Sequence, residues 1–181
     1  YGLDAGSATL TPLAQPYVRT IGGGGPRHFT YHPQGGYVYA NNELANSVNV
    51  YRHDEGAGVL VELQVVSTLP DDFCDTSYTA DIKITPDGRF LYCSNRLHDS
   101  IAVYAIGGDG CLALVEIAPA LGDFAQNLAI TADGGLLLCA NMGSDGKGEN
   151  VVVFRIDAGS GKLSAVGEPV GIVKPSCIMI V

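Results

Sequence analysis

Side chains able to move protons or bind anions recur at a few places in this chain. Arg27 and His28 are adjacent, and Glu43 follows. Asp81, Arg96, His98 and Gln126 come further on. An imidazole titrates near neutral pH and can take or give a proton. A carboxylate can act as base or orient a neighbour. A guanidinium can hold a carboxylate or phosphate bidentately, or steady a developing oxyanion. Such a set could activate water against a carbonyl carbon. Each member also has a plainer reading: an exposed ion pair for Glu43 and Arg96, a structural histidine for His28, a turn or cap bond for Asp81. The run Gly22–Gly25 lacks the Lys-Ser/Thr of a phosphate-binding P-loop and has no helix after it, so it reads as a flexible approach to Arg27 and His28.

Those residues sit on a repeat. The segments 28–42, 81–95 and 127–141 align over fifteen positions without a gap. The second reads Asp81-Ile-Lys-Ile-Thr-Pro-Asp-Gly-Arg-Phe-Leu-Tyr-Cys-Ser-Asn95. Each unit continues into a third short apolar run (47–51, 100–104, 150–154), a Gly-containing turn and a fourth (59–66, 111–117, 162–166). Runs separated by turn chemistry such as Pro86-Asp87-Gly88 are hairpins. The offsets of 53 and 46 residues, with four antiparallel strands each, define propeller blades. The fold class is therefore all-β: a β-propeller of three complete four-stranded blades, near 27–66, 80–117 and 127–168. Asp4-Ala-Gly-Ser7 matches Asp157-Ala-Gly-Ser160, and 175–181 aligns with 26–32. An orphan outermost strand over 9–18 and an orphan innermost strand over 177–181 are expected at the two ends. The chain reads as the C-terminal portion of a single propeller domain.

The repeat is its own control, because positions serving the fold should match in every blade. Asn42, Asn95 and Asn141 do, and an Asx-type turn bond is the expected role. Glu43, Arg96 and Met142 in the next column do not. Nor do His28, Asp81, Asn127 and Cys177, preceded by Arg27, Ala80, Gln126 and Ser176. His98 is the odd residue of a turn whose counterpart is Ala45, whereas His32, aligned with Thr85 and Thr131, reads as structural.

Composition sets the limits. With 10 Lys plus Arg against 19 Asp plus Glu, the net charge of −9 lacks the basic footprint of a duplex-binding protein. No apolar run reaches the roughly 18–20 residues of a membrane span. Gly is 24 of 181 residues, about twice the usual roughly 7%, as a turn-rich β fold requires. The five cysteines are scattered with no CxxC, and read as free thiols in a reducing compartment rather than a metal site.

Gly24-Gly-Pro-Arg-His28, Asn42-Glu43, Ser94-Asn-Arg-Leu-His-Asp-Ser100, the Pro-Asp-Gly-Arg-Phe-Leu-Tyr blade string and the closing Pro-Ser-Cys resemble the bacterial lactonase family of seven-bladed propellers. That family includes propeller-type 6-phosphogluconolactonases and is similar to the carboxy-muconate lactonizing enzymes. The resemblance covers the whole chain but only about half of a family member. It implies cytoplasmic, cofactor-free and metal-free hydrolysis of a small-molecule sugar lactone in the pentose phosphate pathway, with no nucleic-acid or membrane partner. It also implies that missing N-terminal blades, or another chain, pack on the open faces. Together with the varying columns above, it points to His28, Glu43 and Arg96 for catalysis, and to Arg27, Asp81, His98 and Gln126 for substrate binding. Ala125-Gln126 stands where the family often carries a second Pro-Arg, which leaves open whether the substrate bears a phosphate. A non-catalytic binding or interaction propeller, and a muconate-type cycloisomerase, are the alternatives.

Overall fold

The computed structural model describes residues 1–144 and 148–181. It holds fourteen strands and, among the described residues, no helix. Three four-stranded meanders follow one another. The first is β3 (Pro26–Tyr31), β4 (Tyr37–Asn42), β5 (Ser47–Asp54) and β6 (Val59–Ser67). The second is β7 (Tyr78–Ile84), β8 (Phe90–Arg96), β9 (Ser100–Ile106) and β10 (Leu112–Pro119). The third is β11 (Ala125–Ile130), β12 (Leu136–Asn141), β13 (Asn150–Ile156) and β14 (Leu163–Ala165). The second-to-third-strand connection of this last sheet includes 145–147, outside the described residues.

Strand alternation explains the packing. Successive side chains point to opposite faces, and β8 is buried throughout. Its Leu91 and Cys93 pack with Tyr39, Val48 and Val50 of the first sheet. Its Phe90 and Tyr92 pack with Leu128, Leu137 and Val152 of the third. The middle blade is thus apolar on both faces, and each large buried side chain contributes roughly 1.5–3 kcal/mol. Burial pushes the Cys139 thiol up to about 12 and raises that of Cys93 as well. All five cysteines are free.

Polar clamps repeat between blades. The Tyr39 hydroxyl donates to Gly110 O, and the Tyr92 hydroxyl to Gly161 O, both at 2.9 Å. On the outer strands, the Gln64 amide accepts from Leu112 N (2.7 Å) and donates to Leu112 O (3.1 Å). Glu116 accepts from Leu163 N at 2.7 Å.

The two ends correct the expectation. The outermost strand expected over 9–18 is a ladder only at β2 (Thr9–Thr11), and it is not an orphan: it pairs with β1 (Gly2–Asp4). The ladder stops where β1 runs out. Beyond it, Gln15 still clamps Leu60 N and O at 2.6 and 3.0 Å, as Gln64 clamps Leu112. Residues 177–181 form no strand. Ile178 N donates instead to Asn127 Oδ1 at 2.8 Å.

Candidate functional site

Each inner strand opens on a β-bulge. Pairing passes from Pro26↔Asn42 to Phe29↔Ala40, so Arg27 and His28 together oppose Asn41. In the second blade it passes from Thr79↔Asn95 to Ile82↔Cys93, so Ala80 and Asp81 oppose Ser94. In the third, Gln126 is the extra residue between Ala125↔Asn141 and Asn127↔Ala140. A bulge bends the strand and re-aims its side chains. The freed amides are caught by the second strand: His28 N donates to Asn41 Oδ1, and Asp81 N to Ser94 Oγ, both at 3.0 Å.

The re-aimed residues form a relay across blades. His28 Nδ1 lies 3.0 Å from Asp81 Oδ1. Asp81 Oδ2 accepts from Asn127 Nδ2 at 2.7 Å and from Leu128 N at 3.0 Å. Lys83 Nζ lies 2.8 and 2.7 Å from the two carboxylate oxygens. Burial alone would raise the Asp81 pKa. The Leu128 amide, the Lys83 ammonium and His28 outweigh it and hold the carboxyl below its usual value. Asp81 is therefore an acceptor, which places the His28 proton on Nδ1 and leaves Nε2 with its lone pair.

A second group meets the first. Glu43 and Arg96, at equivalent ends of β4 and β8, bond through Glu43 Oε1 and Arg96 Nη2. Arg27 Nε lies 3.9 Å from Glu43 Oε2. Arg27 Nη1 donates to Ala80 O at 2.5 Å and lies 3.3 and 3.1 Å from the His28 ring nitrogens. Exposure is graded: the Arg96 side chain is 11% exposed and that of His28 44%. Arg27, His28, Glu43, Asp81 and Arg96 thus form one connected cluster built from two blades, extended by Asn127 of a third.

His98 stands apart. Its Nδ1 bonds Ser100 Oγ at 2.7 Å and its ring meets Phe73 edge-on at 4.6 Å. Among the described residues, no hydrogen bond or ion pair ties it to the cluster. Gln126 has a buried Oε1 with no hydrogen-bond partner among the described residues. The constant asparagines are structural, but not through turn bonds. Asn42 and Asn95 each donate to the serine opening the next strand at 3.0 Å, and Asn141 donates to Asn150 at 2.8 Å. His32 bonds Gly88 O of the neighbouring blade at 3.0 Å, a structural contact. Lys83 was not singled out from sequence, although its column, Thr30, Lys83 and Ala129, varies as sharply as the others.

The model of the lactonase family of seven-bladed β-propellers matches residues 1–180, and the chain belongs to that family. The 6-phosphogluconolactonase of Bacillus subtilis (strain 168) is 38% identical over 157 residues, covering 86% of this chain and 44% of that protein. The one from Sodalis glossinidius is 38% identical over 155 residues, covering 85% and 45%. Among solved structures, the periplasmic gluconolactonase PpgL of Pseudomonas aeruginosa matches with a TM-score of 0.80 at 31% identity, over 88% of this chain and 43% of its own. A protein from Lactobacillus plantarum matches with a TM-score of 0.83 at 30% identity, over 88% and 46%. The chain spans less than half the length of these relatives.

Proposed function

We propose that this chain is a portion of a propeller lactonase that hydrolyses a sugar lactone, in the manner of the 6-phosphogluconolactonases it resembles. The observation that carries the reading is the convergence of His28, Asp81, Arg27, Glu43 and Arg96 from adjacent blades. A binding module has no need of a carboxylate-oriented imidazole beside one guanidinium, with a second guanidinium joined to that group through Glu43.

In this reading, Arg27 Nη1 turns from His28 Nε2 to the bound substrate, and water attacks the lactone carbonyl carbon while the freed Nε2 takes its proton. Asp81 holds the ring and stabilises the imidazolium that forms. The carbonyl oxygen becomes an oxyanion, steadied by a guanidinium donor. When the tetrahedral intermediate collapses, the ring C–O bond breaks and His28 returns the proton to the leaving oxygen. The product is the open-chain hydroxy acid, which ionises at neutral pH. Glu43, bonded to Arg96 and facing Arg27, orients both cations, and proton transfer falls to His28. Gln126, the extra residue of the third blade's bulge, would contact the substrate's hydroxyls.

The molecule is acidic overall, so an anionic substrate depends on this local positive spot. Either the blades outside this chain or a second chain would cover the open faces of the first and third sheets. The free thiols, with Cys74 and Cys177 exposed, support a cytoplasmic setting, where the product would enter sugar-acid metabolism such as the pentose phosphate pathway; fractionation of cells tests the location. The decisive experiment is a hydrolysis assay on the full-length protein, comparing 6-phosphogluconolactone with unphosphorylated lactones. Turnover of neither would overturn the reading.

A further inference from the structure

We propose that Phe124 is a positioning residue for Arg96, kept at a glycine-type backbone position for the sake of its ring. The proposal rests on the reading of Arg96 as a substrate-facing cation.

Arg96 is short of conventional restraint. Its Nε is buried without a hydrogen-bond partner among the described residues. Its Nη2 serves Glu43 and reaches Thr79 O at 3.4 Å. What confines the guanidinium besides these is aromatic. Cζ lies 5.1 Å from the ring centroid of Phe124 and 5.7 Å from that of Tyr78. Tyr78 is there as a matter of sheet geometry, being the cross-strand partner of Arg96. Phe124 is not. It comes from the loop before β11, in the next blade.

The backbone of Phe124 carries the argument. Its φ is +65°, in the left-handed region where a bulky side chain is an outlier. The repeat supplies the comparison. Gly25 is the equivalent residue of the first blade, with φ of +64°. Gly25 O accepts from Glu43 N at 2.7 Å, and Phe124 O accepts from Met142 N, the residue equivalent to Glu43, at 3.0 Å. The two positions match in φ and in the bond that the carbonyl accepts. The first blade fills the position with the residue that suits it; the third fills it with phenylalanine. Ring placement over Arg96 is what a glycine there would forgo.

The surroundings hold the strained turn in place. Phe124 N donates to Asp99 Oδ1 at 2.7 Å, and the same oxygen accepts from Leu97 N at 3.1 Å. Leu97, Asp99 and Leu121, in the two loops around Phe124, have positive φ as well. Asp123, next to Phe124, accepts from Ser144 N and Oγ at 3.0 and 2.6 Å. Strain gathered beside a candidate site and over-determined by its neighbours is a mark of function.

The test uses the full-length protein with 15N-labelled arginine, the Arg96 Nε–H resonance being assigned by its loss in Arg96→Lys. Phe124→Gly keeps the backbone conformation that Gly25 demonstrates and removes the ring. It is expected to move the Arg96 resonance away from its ring-current-shifted position. Lactone turnover should fall about tenfold, the scale of a desolvated cation–π contact. Phe124→Tyr should restore both. An unmoved resonance in a folded Phe124→Gly protein would overturn the proposal, as would a moved resonance with wild-type turnover. Full turnover in Arg96→Ala would instead overturn the reading of Arg96 on which the proposal stands, and the resonance data keep the two failures apart.

Discussion

At the scale of single residues, the proposed chemistry separates proton transfer from charge placement. His28→Ala in the full-length protein should cut lactone turnover by about 10²–10⁴-fold, the usual worth of a positioned acid–base group, and Arg96→Ala by about 10²–10³-fold, that of a lost oxyanion donor; near-wild-type rates in both would remove them from the chemistry. Asp81 carries a second expectation. Its folded pKa is lowered, so its stabilising contribution is complete above the unfolded value of about 3.9 and is lost as pH falls through the folded one. Asp81→Asn should cost roughly 1–3 kcal/mol at neutral pH, the range for buried groups left unpaired. It should also flatten the loss of stability below about pH 4. Urea midpoints measured from pH 7 down to pH 3 test both. Arg27, His28, Glu43, Asp81 and Arg96 were legible in the sequence because a repeat exposes the columns that vary. Phe124 was not, because its meaning lies in a φ value that residue types do not display. His98 varies too, yet it packs on Phe73, from a connection that the aligned segments do not include.

At the scale of elements, the blades interlock through an aromatic ring laid on a turn glycine. Phe90, which opens β8, lies where a Cβ on Gly161 would stand only 2.4 Å from its ring, and Tyr37 stands likewise 2.3 Å from one on Gly110. Gly161 also has φ of +76°. Gly161→Ala should therefore combine left-handed strain of roughly 1–2 kcal/mol with overpacking of roughly 1–3 kcal/mol. Thermal unfolding should show a large drop for Gly161→Ala and little for Gly22→Ala, which has open space around it. The strand runs and turns were readable from period-two alternation and Pro-Asp-Gly chemistry. The bulges were hidden, because an irregularity shared by every blade leaves no gap when the blades are aligned with one another.

At the scale of the whole molecule, the question is what covers the outer faces of the first and third sheets. On the first, Phe29 and Tyr31 are 65% and 53% exposed. They lie in a shallow apolar depression with Val18, Val38, Tyr51 and Leu60. Apolar sheet faces and unpaired edges of this kind invite association. The 181-residue chain by itself should self-associate in light scattering and bind a hydrophobic dye. A monodisperse monomer that takes up no dye would show that these faces are tolerated bare. The strand order of each blade and the blade count were legible from the repeat. The pairing of β2 was not, because β1 is only three residues long and too short to show a pattern.

The bulge at the head of each inner strand has a consequence for how such a protein can diversify. A residue outside the regular strand pairing can be exchanged without shifting the register of the strand that bears it. Arg27, Ala80 and Gln126 differ in charge and size, yet all three sheets keep the same strand order. The candidate site is therefore open to rewriting one blade at a time, by single substitutions, while the framework is inherited unchanged.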